Sequence, residues 1–141
     1  MSTPKESLKR KILEEMTVDY SKSLEHNFEL AKQFIRITKE GKVEVLMKDK
    51  LTAKQQIQLY LIGKTYAKEA GLADTDDAGT DELIQELGIP EGSLLPWLKS
   101  LRDDNRIRQI KRERHAYHTL PVNLVESVLE AIVSKIGKKS R

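Results

Sequence analysis

Cysteine is absent from the 141 residues, so the chain cannot form a disulfide, use a thiolate as a nucleophile or bind zinc through cysteine. Long apolar runs are absent too: none approaches the roughly 20 residues that cross a bilayer. The first residues, MSTPKESLKRK, lack the apolar stretch of a signal peptide. Together these absences predict a soluble, cytoplasmic protein that does not associate with membranes.

The signatures of catalysis and metal binding are also missing. No Ser/His/Asp grouping and no pair of carboxylates in an apolar setting can be identified. The GKT sequence at residues 63–65 has Gln58 at the position where a phosphate-binding loop needs glycine. The calcium-like DTDDAG sequence has Gln85 where the loop needs a bidentate Glu. His115 and His118 are three residues apart on a predicted strand and would face opposite sides. We therefore predict a protein that is not an enzyme and has no cofactor or metal.

Charge is abundant but unevenly distributed. The chain has 25 basic and 22 acidic residues, for a formal net charge of +3. Residues 72–92 contain seven acidic side chains and no basic one, whereas residues 105–121 contain five Lys or Arg and a single Glu. The location of the charge, rather than its total, therefore bears on the choice of partner.

The first 50 residues predict helices followed by a β-hairpin. Apolar residues recur at helical spacing in two stretches, Leu8, Ile12, Leu13 and Met16, then Leu24, Phe28, Ala31 and Ile35. From Phe34 onward the period changes to two on either side of the sequence KEGK, which predicts a hairpin that turns at Glu40 and Gly41.

Three helices are predicted next. The first begins at an N-cap, Thr52, with Gln55 completing a capping box, and ends at Gly71. Gly63, with Ala67 and Ala70, is expected to let a neighbouring helix approach closely.

The second predicted helix is capped by Thr80 and ends at Gly88, and the third is capped by Ser93, with Pro96 in its first turn. Two strand-like runs follow, RIRQIK and HAYHTL, separated by RER. A last helix, with a broad apolar face and a basic tail, is a candidate partner surface.

Residues 51–120 resemble the winged helix-turn-helix family. The resemblance is carried by the sequence ELIQELGIPEGSLLPWLKSLRDDNRIRQIKRERHAYHTL. The residues that match the family pattern are Leu83, Leu87, Gly88, Ile89, Leu94, Leu98, Leu101, Asn105 and Ile107. The predicted fold class is α+β and mostly helical, with a helical and hairpin extension at residues 1–50, a winged-helix domain at 51–121 and a final helix with a basic tail at 122–141.

The resemblance implies a DNA-binding protein, either a transcriptional regulator or a chromatin-associated factor. In this family the third helix enters the major groove and the hairpin, or wing, contacts phosphates. The side chains expected at double-stranded DNA are Lys99, Arg102, Arg106, Arg108, Lys111, Arg112, Arg114 and His115. A homodimer through the terminal helices is also expected.

The sequence is also compatible with two other functions and with a purely structural role of the basic hairpin. The third helix offers few forked donors for base recognition, and an acidic second helix would repel phosphates. An alternative is a protein-interaction module that docks through Leu95, Pro96 and Trp97 together with the acidic helix, although Trp97 could instead belong to the core. The basic hairpin could also bind RNA, or could simply be a charged edge that prevents aggregation.

Overall fold

A computed structural model describes residues 4–17, 19–20 and 22–139, so the last two residues of the predicted basic tail lie outside it. The helices are α1 (Pro4–Glu15), α2 (Ser23–His26), α3 (Phe28–Ala31), α4 (Ala53–Glu69), α5 (Thr80–Leu87), α6 (Glu91–Asp103) and α7 (Val125–Lys139). The strands are β1 (Ile35–Ile37), β2 (Val43–Val45), β3 (Ala78–Gly79), β4 (Arg108–Arg112) and β5 (His115–Thr119). In the described part of the chain, no helix combines the length and the apolar character needed to span a membrane.

The fold class is α+β, as predicted. Strands β1 and β2 form an antiparallel two-stranded sheet, and a second antiparallel sheet has the order β3-β5-β4. Short 3₁₀ turns precede α4, at Lys48–Lys50, and α7, at Val122–Leu124.

The amino-terminal hairpin is confirmed, but the helix before it is not continuous. The predicted helical stretch breaks into α2 and α3, and Ile35, which we assigned to the helical rhythm, begins β1. The hairpin requires glycine at Gly41, because its φ is +87° and an added Cβ would lie 2.3 Å from the carbonyl oxygen of Leu72. The turn therefore holds the hairpin against the chain that follows α4.

Helix α4 begins and ends as predicted. Thr52 and Gln55 form the capping box, and Gly71 adopts a φ of +76° just after the helix. The prediction for Gly63 was wrong, because β2 lies against it rather than a helix. An added Cβ at Gly63 would come within 2.4 Å of Val43 Cγ1. The glycine thus lets the hairpin sheet pack directly on α4.

Helices α5 and α6 include the residues that were predicted to cap them. Gly79 is the N-cap of α5, so the predicted capping role of Thr80 was wrong. Pro90 is the N-cap of α6, so Ser93 lies inside the helix and Pro96 lies in the second turn rather than the first. A proline there removes one intrahelical hydrogen bond. The stop of α5 at Gly88 is confirmed by its left-handed conformation.

The turn from α6 into β4 contains the left-handed residue that was expected there. Asn105 is left-handed with a φ of +58°, and the Arg106 amide donates to the Leu101 carbonyl oxygen. Asparagine tolerates this conformation better than most residues other than glycine. The next residue but one, Ile107, is buried in the core immediately before β4 begins.

One hydrophobic core joins the three predicted segments. It includes Phe34 before the hairpin, Leu83 and Leu98 of the predicted winged-helix region, and Leu129 of α7. Val125, Val128, Leu129 and Ile132 of α7 are buried in this core, so the centre of its apolar face is covered within the chain, and a homodimer through the terminal helices stays a prediction. Helix α1 differs, since none of its residues is buried and Leu8 is 59% exposed.

Candidate nucleic-acid interface

The wing is a hairpin with a tight tip. Arg112 pairs with His115, so only Glu113 and Arg114 connect β4 to β5. Both have positive φ values, 50° and 71°, which is the backbone of a type I′ turn. Because this turn favours Asn and Gly, the chain places two charged side chains at the tip at a cost in backbone energy.

The register of the wing divides its side chains between two faces. Cross-strand partners share a face, so Arg108, Ile110 and Arg112 lie beside Thr119, Tyr117 and His115 on the outer face. Lys111 and Ala116 lie on the inner face with His118, which is buried against the core. The predicted cations therefore project from both faces and from the tip.

Four of the predicted cations of the wing are exposed and remain available to a ligand. They are Arg106, Arg108, Lys111 and Arg114. None of the four makes an ion pair with a described residue. His115 is exposed beside them. We call these four residues the free wing cations.

Arg112 has a different environment. Its Nη2 donates to Asp77 Oδ2 over 2.7 Å, and its guanidinium carbon lies 4.3 Å from the centre of the Tyr117 ring. The other carboxylate oxygen of Asp77 accepts from the Thr75 hydroxyl over 3.2 Å. Arg112 therefore ties the wing to the segment before β3, a role that the sequence did not reveal because Asp77 is 35 positions away.

The two predicted cations of α6 are also partly engaged. Lys99 Nζ lies 2.9 Å from Asp103 Oδ2, one turn along the helix. Arg102 is half-buried, and its charge contributes to a shift in the pKa of His118. Arg102 lies near His118 of β5, and neither cation is as free of contacts as the free wing cations.

The predicted docking residues do not form one patch. Consecutive residues of a helix point about 100° apart, so Leu95 and Trp97 lie on opposite flanks of Pro96. Leu95 is 45% and Trp97 is 41% exposed, so the interpretation of Trp97 as a core residue was wrong. Lys54 Nζ lies 5.4 Å from the centre of the Trp97 ring and covers part of it.

Much of the acidic charge of α5 is neutralised from within the chain. Glu82 accepts a hydrogen bond from the Tyr60 hydroxyl and lies 3.1 Å from Lys64 Nζ. Burial, reinforced by the hydrogen bond to Glu82, raises the pKa of Tyr60 far above its usual range. Glu86 lies 3.4 Å from Lys42 Nζ of the hairpin turn. The expected repulsion between this helix and phosphates is therefore weaker than the sequence suggested.

A groove of mixed charge separates the wing tip from the starts of α5 and α6. Its volume is about 510 Å³. Arg114 and His115 line one side, and Asp81 and Glu91 line the other. Because the carboxylates would oppose a phosphate inside this groove, the outer face and edge of the wing are the better position for one.

His118 joins the wing to α5. Its side chain is 1% exposed, and its Nε2 lies 3.0 Å from Thr80 Oγ1, within hydrogen-bonding distance. Burial, with a smaller contribution from Arg102, lowers the pKa of His118 to about 4. The Nδ1 atom has no hydrogen-bond partner among the described residues. The histidine is therefore neutral at pH 7 and forms part of the scaffold.

Comparison of the chain with protein-family models, with curated proteins and with solved structures finds no match.

Proposed function

We propose that this protein is a winged-helix protein that binds double-stranded DNA through phosphate contacts at its wing. The proposal is supported by the order α4, β3, α5, α6, β4, β5, in which three helices lead into the basic hairpin. Packing of β3 against β5 gives the hairpin a third strand and fixes its base. A role in transcription regulation or in chromatin fits this activity.

The free wing cations carry the proposal. Three exposed positive side chains on the hairpin and a fourth, Arg106, just before it make no ion pair in the described structure and form a surface suited to a polyanion. The nearest concentration of negative charge, α5, has two of its carboxylates paired with lysines on its other neighbours. Phosphates at the outer edge of the wing would therefore meet net positive charge.

The exposed side of α6 supports only weak sequence specificity. Base edges are recognised mainly by Arg, Asn, Gln and Lys, whereas Gly92 and Pro96 occupy the centre of that side. Lys99 and Arg102 can add charge at its end. The proposal is therefore a DNA-binding protein that holds the backbone and selects sequence poorly.

Fluorescence anisotropy with a labelled random-sequence duplex tests the proposal. We expect replacement of the four free wing cations by Gln to weaken binding at low salt by about two orders of magnitude, since each exposed phosphate contact contributes roughly 0.5–1 kcal/mol. The matched control replaces four exposed lysines elsewhere, Lys39, Lys50, Lys68 and Lys135, by Gln. Equal loss of affinity in both variants would mean that binding to the duplex depends on the total positive charge of the protein and not on the wing, which would contradict the wing interface.

The two other hypotheses have their own outcomes in the same experiment. Tighter binding of an RNA duplex of the same sequence, lost in the wing variant, would replace DNA by RNA as the ligand. Absence of binding to either duplex would leave the protein-interaction hypothesis. A homodimer remains a prediction, and the exposed apolar side of α1 is the surface left for it. Sedimentation of the intact chain measures the oligomeric state.

A further inference from the structure

The hairpin of β1 and β2 has an unpaired edge. Among the described residues, β2 pairs only with β1. The Leu46 amide donates to Phe34 and the Thr38 amide donates to Lys42, which places the inward-facing backbone groups of β2 at even-numbered positions. Because inward and outward groups alternate in an antiparallel pair, those of Val43 and Val45 face away from β1.

A groove runs beside this edge. It has a volume of about 420 Å³ and is bounded by β2 on one side and by Tyr60, Glu86 and Leu87 on the other. From Lys42 to Leu46 the edge is roughly 13 Å long at about 3.3 Å per residue. The edge of β2 therefore has room for another strand.

The charges of the groove favour a ligand with carboxylates. Arg36 and Lys48 line it and make no ion pair with a described residue, although Lys48 Nζ donates to the Glu86 carbonyl oxygen over 3.4 Å. The Glu86 carboxylate is already paired with Lys42. Glu44 is the remaining carboxylate of the lining. The unpaired charges therefore sum to one positive charge beside an apolar floor that includes Leu87.

We propose that this groove binds an extended segment of a partner protein that adds a strand to β2. The segment would exchange hydrogen bonds with the outward-facing backbone groups of Val43 and Val45. Apolar residues at alternate positions would lie over Leu87 and Tyr60, and acidic residues between them would approach Arg36 and Lys48. This site is separate from the wing and does not depend on DNA binding.

The probe is a capped hexapeptide of alternating Val and Glu, added to the ¹⁵N-labelled intact chain and followed by NMR. We expect saturable shifts of the Val43 and Val45 amides with a Kd of about 0.1–1 mM, the range of a short added strand. A peptide with alternate N-methylated residues cannot donate hydrogen bonds to the edge and should not bind. Replacement of Glu by Lys in the peptide should weaken binding.

A matched pair of variants tests the charge argument. Lys48→Gln should weaken binding by about two- to fivefold, the effect of one exposed ion pair, and Lys68→Gln, on the exposed part of α4, should leave it unchanged. The proposal fails if the parent peptide gives no shifts at several times the upper Kd, or if the N-methylated peptide shifts the same amides equally. Concentration-dependent shifts at these amides without peptide would assign the edge to a second copy instead, and would also overturn it.

Discussion

The wing and helix α5 carry charge of opposite sign, and they use it in opposite ways. The free wing cations have no ion-pair partner in the described structure, whereas Glu82 and Glu86 of α5 are paired with lysines from α4 and the hairpin turn. One region presents its charge to solvent and the other uses it to hold neighbouring elements. A dense run of charge in a sequence therefore indicates a ligand surface only when the fold leaves that run unpaired.

The two regions meet at a neutral histidine. His118 of the wing lies against Thr80 at the start of α5, and Arg112 fixes the outer side of the wing to Asp77. The wing is thus attached to the rest of the protein by one neutral buried contact and one ion pair.

The largest effect is expected at the junction between the regions. Because the pKa of His118 falls from 6.5 unfolded to about 4 folded, the unfolded chain binds one more proton between these pH values. The contribution of His118 to stability is complete above pH 6.5 and is lost as the pH falls toward 4. We expect the wild type to lose roughly 2–3 kcal/mol more than His118→Gln over this range, measured by urea unfolding.

The two proteins contain the same carboxylates, so the contribution of these groups to the pH dependence cancels in the difference between the two stability curves. Parallel stability curves for the wild type and His118→Gln from pH 7.5 to 4.5 would show that the histidine is not the neutral buried group described above.

A smaller effect is expected from the paired charge of α5. Glu82→Gln should lower the free energy of unfolding by about 1–3 kcal/mol, because Lys64 loses its counterion near the protein interior. Asp81→Asn on the exposed side of the same helix should change it by less than about 0.5 kcal/mol. Thermal and urea unfolding measure both. Equal effects at the two positions would mean that α5 is not internally neutralised.

The smallest effect is expected within the wing. Arg112→Gln should cost about 1–2 kcal/mol of stability, because it removes the half-exposed contacts to Asp77 and Tyr117. Arg108→Gln, on the same face and without an ion pair, should cost less than about 0.5 kcal/mol. The reverse order of the two variants in urea unfolding would indicate that Arg112 does not anchor the wing.

Features set by local physics could be predicted from the sequence. The capping box of Thr52 and Gln55, the left-handed Asn105 and the hairpin turn at Gly41 depend on residues within a few positions of each other. Where local signals competed, the prediction failed: Thr80 and Ser93 are good caps, but the N-caps are Gly79 and Pro90. The Thr80 hydroxyl instead lies within hydrogen-bonding distance of His118, a contact from outside the helix that no local pattern predicts.

The candidate site was less predictable, for a different reason. The sequence identified which residues of the wing are basic, but not that Arg112 is bound by Asp77 or that Lys42 and Lys64 neutralise α5. These partners are far apart in the chain, and no periodic pattern connects them. Likewise, Gly63 signalled a close approach without revealing that the neighbour is a strand.

The salt dependence of duplex binding tests the central claim most directly. If the four free wing cations each neutralise a phosphate, a plot of log K against log salt should have a slope of roughly −3 to −4, at about −0.9 per contact. Replacing all four by Gln should reduce the slope to the small remainder contributed by Lys99 and Arg102, whereas the control at Lys39, Lys50, Lys68 and Lys135 should keep the slope of the wild type. A slope that is the same in the wild type and the wing variant would contradict the account.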